Sequence, residues 1–229
     1  MQTIGLIGGI TPQSTILYYQ ILNDLAEKHL GTSHTAKCII NSVDFGTIHK
    51  LQHDGRWDLL NELMAEAGKN LENAGAKMLL ICANTMHLTI EAVRKNVSIP
   101  VLHIAEATAE KIQEKKIKTV ALLGTKYTME LDFYKDVLIS FGIQTLIPNA
   151  EEREEVHRVI YEELSKGILK DSSREAYKNC IERLQKEGAQ GVILGCTEIP
   201  LLIKQEDSAI PVFDTTTIHA TKAIELAFS

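Results

Sequence analysis

Short runs of β-branched and apolar residues alternate with longer amphipathic stretches along the whole chain. The runs at residues 3–7, 36–43, 77–81, 101–104, 119–123, 143–146, 191–194 and 212–213 predict eight strands. Each is short and almost wholly apolar, the pattern of parallel strands covered on both faces. Helical spacing fills the intervals. Residues 14–30 carry Ile16, Leu17, Tyr19, Ile21, Leu22 and Leu25 on one predicted face; residues 57–74 carry Leu59, Leu60, Leu63, Met64, Ala67 and Leu71. The stretch 151–164 opens with four acidic residues in five, the charge that suits a helix N-terminus. That acidic run reads as a solvated helix start. Strand and helix in alternation predict an α/β fold with parallel sheets flanked by helices.

The pattern repeats itself once. Gly75-Ala76 precedes the strand that runs into Cys82-Ala83-Asn84-Thr85, and Gly188-Ala189 precedes the strand that runs into Gly195-Cys196-Thr197-Glu198. Gly5-Leu6-Ile7-Gly8-Gly9 similarly matches Ala121-Leu122-Leu123-Gly124-Thr125. Four elements matching in order predict two similar domains, residues 1–99 with 215–229 and residues 100–214. Polar strand ends then gather at the carboxyl edge of each sheet, where open α/β sheets bind ligands.

Composition narrows the partners. The 229 residues are 45% hydrophobic and 24% charged, with a net charge of −6. That excludes a disordered chain and argues against a nucleic-acid binder or an anionic-membrane surface protein. The N-terminus lacks a basic leader followed by an apolar run, and no apolar run approaches the ~18 residues of a membrane span. The expectation is a cytoplasmic chain with reduced thiols. Cys38, Cys82, Cys180 and Cys196 show no CxxC spacing and no paired histidines, so no metal site is expected.

The chemistry concentrates at strand ends. In Cys82-Ala83-Asn84-Thr85-Met86-His87, a strand end opening a helix offers backbone N–H groups and the Asn84 and Thr85 side chains to a carboxylate, and equally well reads as a helix cap. In Gly195-Cys196-Thr197-Glu198, the glycine permits close approach of a ligand. The cysteine sits where a helix N-terminus would lower its pKa, and Glu198 could orient or deprotonate a neighbour. Free cysteine is more often a small core residue. Gly8-Gly9-Ile10-Thr11 lacks the spacing of a dinucleotide or phosphate loop and reads as a turn with capping hydroxyls that could also hold a small anion. His87 and His219 fall near these loops, and both read as structural or solvated rather than catalytic.

Together these motifs resemble the aspartate/glutamate racemase family, the cofactor-independent amino-acid racemases. The resemblance covers essentially the whole chain. It rests on Gly8-Gly9, Asn84-Thr85-Met86-His87, Gly124-Thr125-Lys126-Tyr127-Thr128, Gly195-Cys196-Thr197-Glu198 and Phe213-Asp214-Thr215. It implies two pseudo-two-fold related halves with the active site in the cleft between them, no cofactor, a small amino acid substrate, and often a homodimer. Carried over by position, Cys196 is one acid/base. Asn84, Thr85 and Thr197 hold the α-carboxylate, and Thr125 and Thr128 line the other wall. Gly9, Ile10 and Glu198 complete the substrate-binding set. Where aspartate-specific members carry basic residues for the second carboxylate, this chain has Gly46 or Thr47, and Ser165 with Lys166 one residue on. Gln52 is the alternative contact there.

One position departs from the pattern. The family's first catalytic cysteine, threonine in some members, is Ala83 here, and Cys82 beside it should point to the opposite face. Three explanations stay open: an inactivated variant, a natural one-base or degenerate enzyme, or replacement of the lost group by water or another side chain. The resemblance thus implies a racemase of aspartate and/or glutamate working by thiol proton transfer at Cα, with activity reduced, one-sided or abolished. The alternatives are a non-catalytic carboxylate-binding member and a one-thiol decarboxylase of the same fold, of the arylmalonate type.

Overall fold

The structure, a computed structural model, describes residues 1–229. The chain forms two units, Met1–Ile104 with His219–Ser229, and Ala105–Ile218. The first contains β1 (Ile4–Gly8), α1 (Pro12–Leu30), β2 (Cys38–Ser42), α2 (Phe45–His53), α3 (Trp57–Asn73), β3 (Met78–Ile81), α4 (Ile90–Arg94) and β4 (Val101–Leu102). A 3₁₀ turn, Thr85–Thr89, links β3 to α4. Helix α5 (Ile104–Glu114) leads into the second unit. That unit holds β5 (Thr119–Gly124), α6 (Lys126–Glu130), α7 (Asp132–Ser140), β6 (Gln144–Leu146), α8 (Ala150–Glu162), α9 (Asp171–Lys186), β7 (Val192–Gly195), α10 (Ile199–Leu202) and β8 (Val212–Asp214). Helix α11 (Thr215–Phe228) begins in the second unit and ends in the first. No helix is long and apolar enough to cross a membrane.

All eight apolar runs are strands, in two four-stranded parallel sheets ordered β2-β1-β3-β4 and β6-β5-β7-β8. The same strand order in both units, first strand second in line, is the structural counterpart of the sequence repeat. Its junctions match too. The Gly75 N–H donates to the Glu72 carbonyl and the Ala76 N–H to that of Leu71. Gly188 and Ala189 do the same to Gln185 and Leu184. Both glycines have positive φ, +100° and +113°, as a left-handed helix terminator requires.

Period-two alternation decides which side chains reach which layer. On one face of the first sheet, Leu6, Leu80 and Cys82 pack with Tyr18 and Leu22 of α1 and Ala220 and Ile224 of α11. On the other, Leu79, Ile81 and Ala83 pack with Leu60, Met64 and Leu71 of α3. Cys82 and Ala83 therefore lie on opposite faces. In the second unit, Leu123, Val192 and Leu194 meet Val159 of α8 and Ile181 of α9.

The α1 face differs from the sequence expectation. Ile16 and Tyr19 are 56% and 46% exposed, while Ser14, Thr15, Tyr18, Leu22 and Ala26 are turned inward. The reason is polar: Ser14 and Thr15 face inward to satisfy backbone groups at the strand ends, and this sets the helix's rotation. The acidic start of α8 is also more than solvated. Asn149 and Glu152 form a reciprocal cap, and Glu152 pairs with Arg183 of α9.

Gly9 directly follows β1 at φ +87°, where a Cβ would run into the Val43 backbone. Gly75 has the same sign of φ but open space around it. Gly75→Ala should cost about 1–2 kcal/mol from backbone strain alone. Gly9→Ala should cost clearly more, about 3 kcal/mol, because strain and overlap add. Denaturant midpoints of the two variants check the order.

Candidate active site

The carboxyl end of the first sheet is held by hydroxyl groups. The Gly9 N–H donates to Thr15 Oγ1 at 2.8 Å, and that hydroxyl donates to the Thr11 carbonyl at 3.1 Å. Thr11 Oγ1 caps α1 by accepting from the Ser14 N–H. Ser14 Oγ donates to the Cys82 carbonyl at 2.5 Å, tying α1 to the end of β3. The turn after β1 is thus a capping turn, as its residues suggest. Ile10 beside it is buried in the first unit's core.

Ala83, Asn84 and Thr85 follow β3 directly. Ala83 and Asn84 are buried, at 8% and 4% exposure, and Thr85 is half-buried. Their backbone is fixed from below: His87 Nδ1 lies 2.9 Å from the Ala83 carbonyl. Gln52, on α2, is buried and donates to Met86 Sδ at 3.3 Å. Gln52, Gly9, Ile10, Ala83, Asn84 and Thr85 all belong to the first unit.

The second unit brings the others together. Gly124 and Gly195 are side by side in the β5–β7 register, with the Thr128 methyl where a Cβ on either would fall, at 3.1 and 3.0 Å. Thr125 caps α6, its Oγ1 accepting from the Thr128 N–H at 3.3 Å and standing 3.2 Å from Thr128 Oγ1. Lys126 of the same motif pairs with Glu154.

Cys196, Thr197 and Glu198 form one buried hydrogen-bonded group. The Cys196 thiol donates to Glu198 Oε2 at 3.0 Å, and the Thr197 hydroxyl donates to the same oxygen at 2.7 Å. Burial and the Glu198 carboxylate push the thiol well above its ordinary pKa. The peptide N–H groups of Glu198 and Thr197 oppose this only in part. This corrects the expectation of a thiol acidified by a helix N-terminus. Helix α10 has four residues, too few for a useful macrodipole, and the nearest full charge is negative. The thiol therefore rests protonated, donating to the Glu198 side chain.

The remaining thiols are structural by position. Burial raises the pKa of each: Cys82 and Cys38 in the first unit, and Cys180, on the buried face of α9, to about 12. No group of three His, Cys, Asp or Glu side chains is arranged to hold a metal ion.

Two features escaped the sequence reading. Tyr161 of α8 packs against the core that contains Cys196. Burial, then the neighbouring Cys196, Tyr127 and Glu198, push its phenol up to about 12. Its only sequence signal is its place four residues after His157, whose ring it meets at 4.7 Å. The other is a cluster of buried histidines. His87 meets His103 at 4.8 Å and His219 at 5.6 Å between ring centroids, three residues far apart in sequence.

Comparison with known proteins places this architecture. A protein from Yersinia pestis described as a candidate Asp/Glu racemase superposes over the whole of both chains, with a TM-score of 0.95 and 44% identity. An aspartate racemase homologue from Pyrococcus horikoshii does so with a TM-score of 0.89 and 40% identity. The broad specificity amino-acid racemase RacX of Bacillus subtilis is 24% identical over 96% of each chain. Residues 7–223 match the family model of Asp/Glu/hydantoin racemases. With two parallel sheets of that fold and a match spanning nearly its whole length, the chain belongs to the Asp/Glu/hydantoin racemase family.

Proposed function

We propose that the protein acts on a small amino acid, aspartate or glutamate first of all, by thiol-based proton transfer at Cα without pyridoxal phosphate. The observation that carries this is the buried Cys196–Glu198 hydrogen bond at the end of β7. Moving the thiol proton to Glu198 leaves the pair's charge at −1, so the transfer avoids the desolvation cost of losing a proton to water. The thiolate then takes the Cα proton. The electron pair left on Cα delocalises into the substrate carboxylate. Asn84, Thr85 and Thr197 are the groups assigned to hold that carboxylate, with donors that favour the enediolate-like state. Once the sulfur-bound proton has been replaced by one from solvent, its return to the same face of Cα completes exchange without inversion. Thr125 and Thr128 support the Gly124–Gly195 strand ends, and Gln52 is the candidate contact for the substrate side chain.

Ala83 has no group that transfers a proton. The reading is therefore one-sided chemistry: exchange of Cα–H on one enantiomer, with inversion slow or absent. Incubation with L- and D-aspartate and L- and D-glutamate in deuterium oxide, followed by proton NMR, tests it. The expected result is loss of the Cα–H signal for one enantiomer ahead of any inversion. Ala83→Cys and Ala83→Thr should raise inversion by about 10²-fold or more, the usual contribution of a positioned acid/base. Ala83 also favours a second reading, a member that binds the amino acid without turning it over. It predicts ligand-dependent thermal stabilisation with no exchange on either enantiomer.

A further inference from the structure

His87 is held at both ring nitrogens. Nε2 accepts from the Ile104 N–H, the first residue of α5, at 3.2 Å. An acceptor at Nε2 places the proton on Nδ1, which donates to the Ala83 carbonyl at 2.9 Å. The ring is 1% exposed and is faced by His103, His219 and the Arg94 guanidinium, none of which favours a second charge there. His219 is fixed in turn, by Tyr18 Oη at 2.8 Å and the Leu102 carbonyl at 3.1 Å. The peptide that joins Ala83 to Asn84 is therefore clamped by a neutral imidazole whose tautomer the fold dictates.

We infer that His87 is a positioning residue: its Nδ1–H fixes the Ala83 carbonyl and so orients the Asn84-Thr85 turn that receives the substrate carboxylate. This rests on the proposed amino-acid site. His87 does not exchange protons with substrate; it acts through the backbone it holds. The chain supplies its own guide to a conservative replacement. Asn96 and Asn23 each donate from Nδ2 to the carbonyl four residues earlier, at 2.9 and 2.7 Å, the same spacing as His87 to Ala83.

The test compares His87→Asn with His87→Phe, using L-aspartate and L-glutamate as probes in calorimetric titration and in the exchange assay. Phenylalanine, which lacks the donor, should raise Kd and KM about tenfold, the cost of one well-placed hydrogen bond, with the rate at saturation changed less than about threefold. Asparagine should return both constants to within about threefold of the starting protein. Equal losses in both variants would show that ring packing matters rather than the bond, and unchanged constants in His87→Phe would likewise overturn the assignment. Histidine ¹⁵N shifts of the unsubstituted protein give a readout independent of variant folding. They should show the Nδ1–H tautomer and no titration from pH 5 to 8; an Nε2–H ring or a titrating one refutes the inference. If the unsubstituted protein binds neither amino acid, the proposed function fails. Amide exchange at residues 84–87, faster in His87→Phe than in His87→Asn, then decides the clamp alone.

Discussion

Cys196→Ala should reduce Cα–H exchange to the buffer rate, and Glu198→Gln should lower it by about 10²–10⁴-fold, the range for loss of a positioned proton acceptor. The two losses have different origins. Alanine removes the atom proposed to meet the Cα proton. Glutamine keeps the shape and a hydrogen-bonding oxygen near Cys196 Sγ and Thr197 Oγ1 but cannot take up the thiol proton. The thiolate must then form by loss of a proton to solvent, from a thiol whose pKa burial holds far above its ordinary value. Residual exchange in Glu198→Gln should therefore climb with pH across the alkaline range, while the unsubstituted protein shows a flatter profile. Removing the carboxylate also removes one of the influences that raise the thiol pKa, so the variant's thiol should titrate lower than in the intact pair. Rates measured by NMR between pH 7 and 10 check both points. Exchange in Cys196→Ala equal to that of the unsubstituted protein would falsify the assignment of the acid/base.

Acidification should destabilise the first unit well before its carboxylates protonate. Burial lowers the pKa of His87 to about 4, of His103 to about 2 and of His219 to about 3. In the unfolded chain each titrates near 6.5. Between 6.5 and the folded values the unfolded state binds more protons, so stability falls as pH falls. At pH 5 each histidine should have forfeited about 2 kcal/mol, and the three together a large share of the 5–15 kcal/mol that typically holds a protein folded. Below about 4.5 a second loss begins in the other unit. Ser173, Arg158 and Lys170 hold the Glu163 carboxyl down to about 2, and its contribution disappears as that group protonates. Urea denaturation at pH 7, 6 and 5 measures the first loss. His103→Leu should reduce the slope of stability against pH by about a third. An unchanged slope would show that His103 is not buried as a neutral ring.

Much of this architecture was legible because the apolar runs are short and spaced for helices between them, although the edge strands β2 and β6 are only partly covered, contrary to the expectation of burial on both faces. The paired strand-end motifs were equally visible: Asn84-Thr85 and Cys196-Thr197-Glu198 are contiguous, and contiguous residues at a strand end must share it. The opposite faces of Cys82 and Ala83 followed from the period of a strand and are seen in the packing. What failed depended on distance in sequence. The inward face of α1 is set by Ser14 reaching the Cys82 carbonyl, 68 residues on, which no local periodicity reports. The thiol's pKa turned on the rotamer of Glu198 and the brevity of α10, not on residue type. The histidine cluster draws on residues 87, 103 and 219 and leaves no spacing signature.

The division of α11 has a consequence for synthesis. Ala220, Ala223, Ile224 and Ala227 are part of the core laid against β1 and β3, and the Gln2 N–H donates to the Ala227 carbonyl. The unit that starts first on the ribosome therefore cannot close its core until residues 219–229 have emerged. The second unit, continuous from Ala105 to Ile218, has all its parts earlier. Order of translation and order of completion are reversed, and a nascent chain from which residues up to about 218 but not 219–229 have emerged should carry a protease-resistant second unit and an open first sheet.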